Sequence, residues 1–578
     1  MIRGQGIRPS QFVLTYGVGS VLEAPNGPRI IPQYKDWGRI FGFPDSSIQL
    51  SNFEIRDANV SALLQGGRIF RLPTNADMQM PDDQVLFRTR RFPRWALCQE
   101  HRILYELTPS GKTRCPFCPP GKAAQDQAIR FVRACPRGHL DDVDWKGIIH
   151  RGKKTCDGVV FDWIERGSTL RDITISCRKC GAQATLQDIY NGTWTCSGQF
   201  PESDIQESCD ERARIILRNA SNLRISVIET ALTIPPRTTP LHRILENPRI
   251  LPILAAESSW TKSKLLSRLK TAAKLIPAIN PVTVAEIEDA SEAEILSAIK
   301  DIRKPLKPDL TSKDVRDREF QALQSAAIRG APPRPYPRPT DFEVDKDAVI
   351  TTPLSSNLSL RVTPVERLRV VIAQKGYKRL IRGRSRPRIV ETFYKDKDQN
   401  RWYAGVVVHG EGIFIDLPPE ENFDLHQLET AKVWWDEFER KKSYLFHPVF
   451  VWWHTLSHRF IKALAIDSGY SSASIRERVY IQADGDEHAR GGVLVYTSQR
   501  GGDGSLGGLV ALVPEFSRVV STALRNINSC SNDPLCSEQE FAPGRINGAA
   551  CYACLFLSET SCEFGNSYLD RNLLRLSI

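Results

Sequence analysis

No stretch of eighteen consecutive apolar residues occurs in the 578-residue chain, so a hydropathic membrane span is not expected. The longest apolar runs, such as 449–453, have the length of core segments. The opening Met1-Ile2-Arg3-Gly4-Gln5 lacks the apolar region of a secretory signal, and a cytoplasmic location is expected. No repeat of solenoid spacing is present, which sets aside stacked-repeat architectures. A nucleotide-driven motor is also unsupported. Ser110-Gly111-Lys112-Thr113 has the end of a phosphate-binding loop, but the required first glycine falls at Glu106. Neither a Gly-x-Ser-x-Gly elbow nor paired His-x-Lys boxes are found.

The composition is that of a folded protein too long for one core, at 41% hydrophobic and 25% charged residues. The net charge of +11 favours acidic partners, nucleic acid foremost. Nine Lys or Arg fall within 367–388, interleaved with Tyr377. Lys378, Arg379, Arg382, Arg384, Arg386 and Arg388 are the candidate phosphate contacts, against a merely solvated strand face.

The pattern along the chain predicts an α+β, multidomain protein. Residues 1–95 read as short strands and loops, and 96–234 as a multi-zinc region low in helical periodicity. Residues 235–342 read as helices followed by a Pro-rich connector at 331–339, and 343–578 as an α/β domain closed by a cysteine cluster. Within these, 215–217, 223–228, 402–409, 478–482 and 492–497 are expected strands. Residues 450–465 and 509–527 are expected helices.

Fourteen cysteines are present, none of them between Cys209 and Cys530. Such clustering suits thiolate metal ligands rather than scattered core cysteines, and three or four structural Zn²⁺ ions are expected. Cys98-x2-His101 with Cys115-x2-Cys118 has the two knuckles of a zinc ribbon. Cys177-x2-Cys180 with Cys196 and Cys209 gives a second set. Cys135, His139, His150 and Cys156 give a third, unless the two histidines simply bond nearby carboxylates. At the end of the chain, Cys551 and Cys554 form a firm pair, and two further ligands come from Cys530, Cys536 and Cys562. Four protein ligands leave no position for water, so such sites are structural. His454 and His458 lie one helical turn apart, at metal-ligand spacing, but beside Trp452 and Trp453 they read as satisfied core histidines rather than ligands. An acidic loop with Asp484, Asp486, Glu487, His488 and Asp503 offers an alternative reading as a Mg²⁺-dependent nuclease. A second alternative is a pure protein-interaction scaffold without DNA contact.

Several motifs carry a resemblance. Gly491-Gly492-Val493-Leu494-Val495-Tyr496, the glycine-rich loop at 501–508, Ala550-Cys551-Tyr552-Ala553-Cys554 and Asn566-Ser567-Tyr568-Leu569-Asp570-Arg571 resemble a domain appended to certain DEAD/DEAH-type helicases, where it carries a four-cysteine metal site. With Arg8-Pro9-Ser10-Gln11, Tyr16-Gly17-Val18-Gly19-Ser20 and Gly138-His139-Leu140-Asp141-Asp142, the chain resembles the DrmB family, the helicase-associated component of DISARM antiphage defence. The resemblance implies a helicase partner of the DrmA type in a DNA-binding complex, and a non-catalytic accessory role. It supplies no catalytic residues.

Overall fold

The computed structural model describes residues 6–25, 27–37, 50–78, 80–81, 84–108, 115–119, 126–151, 156–233, 240–245, 250–273, 281–303, 311–330, 341–421, 424–425, 428–482, 490–497, 506–539, 546–558 and 561–575. The Ser110–Thr113 motif, the Pro-rich stretch 331–339 and the acidic and glycine residues Asp484, Asp486, Glu487, His488 and Asp503 lie outside these. Helices and sheets are mixed in an α+β arrangement. No helix among the described residues is long and apolar enough to cross a membrane.

The chain divides into two compact units, each gathered from separate stretches of sequence. One takes Met1–Arg56, Gly67–Glu229 and Ile372–Val406; the other takes Asp57–Gly66, Thr230–Val371 and Val407–Ile578. Each therefore draws on several of the compositional stretches read along the chain.

The first unit contains several small antiparallel sheets, beside strand Arg68–Arg71, which runs parallel to 402–405. In a six-stranded sheet, strand Trp95–Cys98 pairs with Ile103–Glu106, which pairs through Val160–Glu165 with Ile173–Cys177. A four-stranded sheet aligns Leu140–Asp141, Phe131–Ala134, Arg212–Leu217 and Thr193–Thr195 in that order. Strand Ile173–Cys177 alternates buried and half-buried residues along its length, the period-two pattern of a sheet with one covered face. Trp95, Phe131, Trp145, Phe161, Trp163 and Ile175 supply much of the core between these strands. Strands of two to six residues bury little apolar surface each, so their ends need other anchors.

The second unit has a larger core. Helix Pro448–Asp467 starts at His447, whose Nδ1 accepts the N–H of Val449 at 3.2 Å, with Pro448 at the first helical position. Fifteen of its twenty residues are buried, as expected of a helix apolar on all sides. Strand Arg490–Thr497 packs against it. Gly491 is required there, because a Cβ would stand 2.2 Å from the Trp453 ring. That strand pairs on one side with Ile475–Gln482 and on the other with 411–416. The helix expected over 509–527 is instead a 3₁₀ segment, Val510–Glu515, followed by Phe516–Leu524. Pro514 brings no N–H to the turn where the two meet. The predicted helical stretch resolves into Lys262–Ala273, Glu292–Arg303 and other short helices around Leu265, Leu269, Ile287 and Ile295.

Ion pairs lock several elements of this second unit. Arg478, 3% exposed, donates from Nε to Glu319 at 2.5 Å and from a terminal nitrogen to Glu563 at 2.8 Å. Glu319 also accepts from the Tyr480 hydroxyl and the Leu232 N–H, both at 3.2 Å. Burial pushes the Glu319 carboxyl up, and Arg478 works against that rise.

Candidate metal centres

All fourteen cysteines are free thiols, and all fall in five compact groups of potential metal ligands. Within each group the ligand atoms lie within 4.8 Å of one another.

The first group joins Cys98, His101, Cys115 and Cys118. Cys98 closes its strand opposite Ile103, so the tight turn between the two strands carries His101 back over the thiol. His101 Nδ1 lies 3.6 Å from Cys98 Sγ, 3.8 Å from Cys115 Sγ and 3.4 Å from Cys118 Sγ. Cys118 donates its N–H to the Cys115 carbonyl at 3.1 Å, which forms the second knuckle. This set has the membership that the spacing suggests.

The next two groups are divided differently from the reading of the sequence. Cys177 and Cys180 stand with His150 and Cys156, and Cys196 and Cys209 stand with Cys135 and His139. Strand register is the cause. Phe161 pairs with Cys177, so the chain just before Val160 delivers Cys156 beside the 177–180 knuckle, with the two sulfurs 3.8 Å apart. Gly181 at φ +70 donates to the Cys177 carbonyl at 2.8 Å and lets the knuckle turn. In the other group, Ala134 pairs with Arg214 and Thr195 with Arg212. One end of that sheet therefore gathers Cys135, Cys196 and Cys209.

The two histidines of these groups are oriented from behind. His150 Nδ1 is bonded to the Lys146 carbonyl at 2.8 Å. That leaves its buried Nε2 with no hydrogen-bond partner among the described residues and within reach of three sulfurs. An orphaned ring nitrogen facing thiols fits a metal ligand. His139 turns Nδ1 to Cys135 and Cys196, at 3.3 and 3.4 Å, while Nε2 meets Glu207 at 2.8 Å. Glu207 is shared with Arg388, also at 2.8 Å. The carboxylate bond considered as an alternative for His139 is thus present on the nitrogen that faces away from the sulfurs.

The fourth group is Cys530, Cys536, Cys551 and Cys554, with sulfur separations of 3.5 Å for 530–551 and 3.7 Å for both 536–554 and 551–554. Asn532 donates from its side chain to Cys551 Sγ at 3.4 Å. Buried Arg571 braces the loop through Asp533 at 2.6 Å and the Ile527 carbonyl at 3.1 Å. Burial works to raise the Cys551 thiol, but the Cys554 N–H and the Cys530 side chain outweigh it and bring it to about 7. Cys177 also falls to about 7, as the N–H groups of Cys180 and Lys179 overcome burial. One thiol in each of these two groups therefore gives up its proton more readily than a free cysteine. Cys562 is not in the fourth group; it lies with His454, His458 and Glu477. The two histidines are buried, and both face the Glu477 carboxylate. No sequence spacing marks Glu477.

The six basic candidates separate into distinct environments. Arg379 is fully buried and donates to the carbonyls of Gly138 at 3.0 Å and Leu223 at 2.9 Å. It is a structural cation with no surface to offer a phosphate, a correction to its expected role. Arg382, Arg384 and Arg386 are exposed, whereas Lys378 and Arg388 are half-buried. The loop that carries the three exposed arginines is held by Glu211, which accepts the N–H groups of Arg384 and Ser385 at 3.1 and 2.7 Å. Consecutive basic residues along the sequence give no sign of which one turns inward.

Residues 8–225 match a domain of unknown function (DUF8724), and residues 456–555 match the MrfA Zn-binding domain. Over 562 residues the chain is 26% identical to DISARM protein DrmB from Bacillus paralicheniformis, covering 91% of this chain and 94% of that protein. The resemblance read from the sequence motifs is borne out by this match. The crystal structure of DUF1998 helicase MrfA bound to DNA aligns with 41% of this chain and 26% of its own at 11% identity. Its TM-score of 0.19 is too low to carry a shared arrangement.

Proposed function

We propose that this chain is a zinc-stapled, non-catalytic accessory subunit that docks on a DrmA-like helicase. There it promotes the binding of DNA and the hydrolysis of ATP in antiphage defence. The observation that carries the reading is the similarity to DISARM protein DrmB, which runs nearly end to end in both chains. The match to the MrfA Zn-binding domain over residues 456–555, which hold all four of the fourth group's cysteines, supports zinc as the ion.

The donor sets fit zinc. Three groups offer three sulfurs and one imidazole, and the fourth offers four sulfurs. Zinc bound there would be closed to water and would hold fold rather than do chemistry. In the first unit it would tie the ends of short strands that have little core of their own. Cys177, Cys180, Cys156 and His150 would hold one ion between a strand end, its knuckle and the helix Trp145–Ile149. Exposed Arg382, Arg384 and Arg386 would supply phosphate contacts, which add affinity without sequence preference.

The test compares DNA binding and ATPase activity of this chain, of the partner helicase and of their mixture. Co-elution, with either activity raised only in the mixture, is the expected result. ATP hydrolysis by this chain alone at a motor's rate, or Mg²⁺-dependent DNA cleavage by it, would overturn the proposal. So would a helicase whose activities ignore it.

A further inference from the structure

The fifth group has a donor set unlike the other four. His454 and His458 leave the same face of helix Pro448–Asp467, one turn apart. Strand Ile475–Gln482 brings Glu477 to them, and the loop following Ser561 brings Cys562. His454 Nε2 lies 2.8 Å from Glu477 Oε1 and 3.3 Å from Cys562 Sγ, and His458 Nε2 lies 3.3 Å from the same oxygen. The two histidines and Glu477 are 0% exposed and Cys562 is 5% exposed.

Hydrogen-bond accounting shows what these atoms lack. His454 Nδ1 sits 3.2 Å from the Tyr568 carbonyl and His458 Nδ1 2.9 Å from the Leu555 carbonyl. A carbonyl only accepts, so each Nδ1 carries a proton and each neutral ring aims the Nε2 lone pair at the cluster centre. The second Glu477 oxygen is taken by the Ser457 hydroxyl. The N–H groups of Phe564 and Asn566 point at Cys562 Sγ from 3.4 and 3.3 Å, while burial and the Glu477 carboxylate push its thiol up. Two ring nitrogens, a carboxylate oxygen and a sulfur thus converge, and with neutral rings the Cys562 S–H is the only donor among these four atoms. Protonating both rings would supply donors, but it would bury two imidazoliums against one carboxylate, at a high desolvation cost. A divalent cation satisfies all four atoms, and its charge is matched by one carboxylate and one thiolate. Tetrahedral zinc, with bonds of about 2.0–2.3 Å, sets ligand edges of about 3.3–3.6 Å. The two 3.3 Å contacts match that frame, and the 2.8 Å contact between His454 and Glu477 is shorter than it. Backbone carbonyls behind both rings are the support that metal-bound histidines ordinarily have.

We propose that His454, His458, Glu477 and Cys562 form a fifth, mixed-donor zinc site, separate from the four thiolate-rich groups, which fastens the C-terminal segment to the core helix. It is closed by four protein ligands and is structural. Its ligands lie 108 residues apart along the chain at the extremes, from His454 to Cys562. It also adjoins the fourth group, because the Leu555 carbonyl that orients His458 belongs to the residue after Cys554.

The test is zinc content per full-length chain, measured after dialysis against a weak chelator, for wild type, Cys562→Ala and Glu477→Gln. Each variant is expected to carry one zinc fewer than wild type while keeping the near-ultraviolet circular dichroism of a packed core. The double variant should also lose only one. A folded variant that keeps the wild-type zinc content overturns the site and leaves a polar core network in its place. Should both variants misfold, native mass spectrometry of the wild type decides: five bound zinc ions support the proposal and four overturn it. Because the readout is metal content, it is independent of helicase partnership.

Discussion

Two ways of sharing eight ligands between two ions make opposite predictions for double variants. The structure places Cys156 and Cys177 in one group and Cys135 and Cys196 in another. Spacing along the chain instead suggests that Cys177 shares an ion with Cys196, and Cys135 with Cys156. A structural zinc contributes about 10–16 kcal/mol in small zinc peptides, comparable with the roughly 5–15 kcal/mol that stabilises a whole domain. Losing one of four ligands is therefore expected to release the ion to a chelator rather than leave it on three. On the observed grouping, Cys177→Ala with Cys196→Ala removes two zinc ions per chain. Cys156→Ala with Cys177→Ala removes one, no more than either single change. Inductively coupled plasma mass spectrometry on the purified chain, normalised to folded protein, reads these integers directly. A loss of one ion from the 177/196 pair, together with a loss of two from 156/177, would refute the strand-register argument on which the grouping rests.

The basic loop and the buried cations should respond in opposite ways. Changing Arg382, Arg384 and Arg386 together to Ala is expected to weaken DNA binding by the helicase mixture. It should also lower the log–log salt slope by up to about 3, at about 0.9 for each phosphate no longer neutralised, with zinc content and melting temperature unchanged. An unaltered slope would show these arginines to be only solvated. Arg379→Ala removes a buried cation bonded to two carbonyls and should cost about 3 kcal/mol in chemical denaturation of the intact chain, without a specific change in salt slope. Arg388→Ala leaves Glu207 without its cation, so His139 is held less firmly. Its zinc is expected to exchange about 10-fold faster or more with a chelator, while zinc at Cys98 is unaffected. Glu319→Gln breaks the pair with Arg478 inside the second unit. It should lower stability by about 3–5 kcal/mol, read as a shift of the denaturation midpoint; a shift below about 1 kcal/mol would mean that the pair is not desolvated as its 3% exposure implies.

What could be read from the sequence follows from how local the determinants are. Period-two runs and apolar helix faces placed strand Arg490–Thr497 and helix Pro448–Asp467 to within a few residues. Cys98-x2-His101 and Cys115-x2-Cys118 were legible because a two-residue knuckle presents both ligands in one direction by itself. The 3₁₀ segment Val510–Glu515 has a local cue in Pro514, which the expectation of one helix over 509–527 passes over. The regrouping of the second and third sets had no local cue. It depends on Phe161 facing Cys177 and on Thr195 facing Arg212, and a pairing register is decided by which whole faces are buried. The same holds for Glu477. On strand Ile475–Gln482 it is one polar residue among charged neighbours, and Arg478 beside it points instead to Glu319 and Glu563. Successive strand residues face opposite ways, so one position serves the histidine–cysteine cluster and the next serves the ion-pair network. Cys562 and Glu563 divide in the same manner between the two. A dipeptide from the strand and a dipeptide from the loop thus each supply one residue to both networks. A fifth cysteine that looked superfluous by counting thiols gains its partners only when the loop and the strand are brought together.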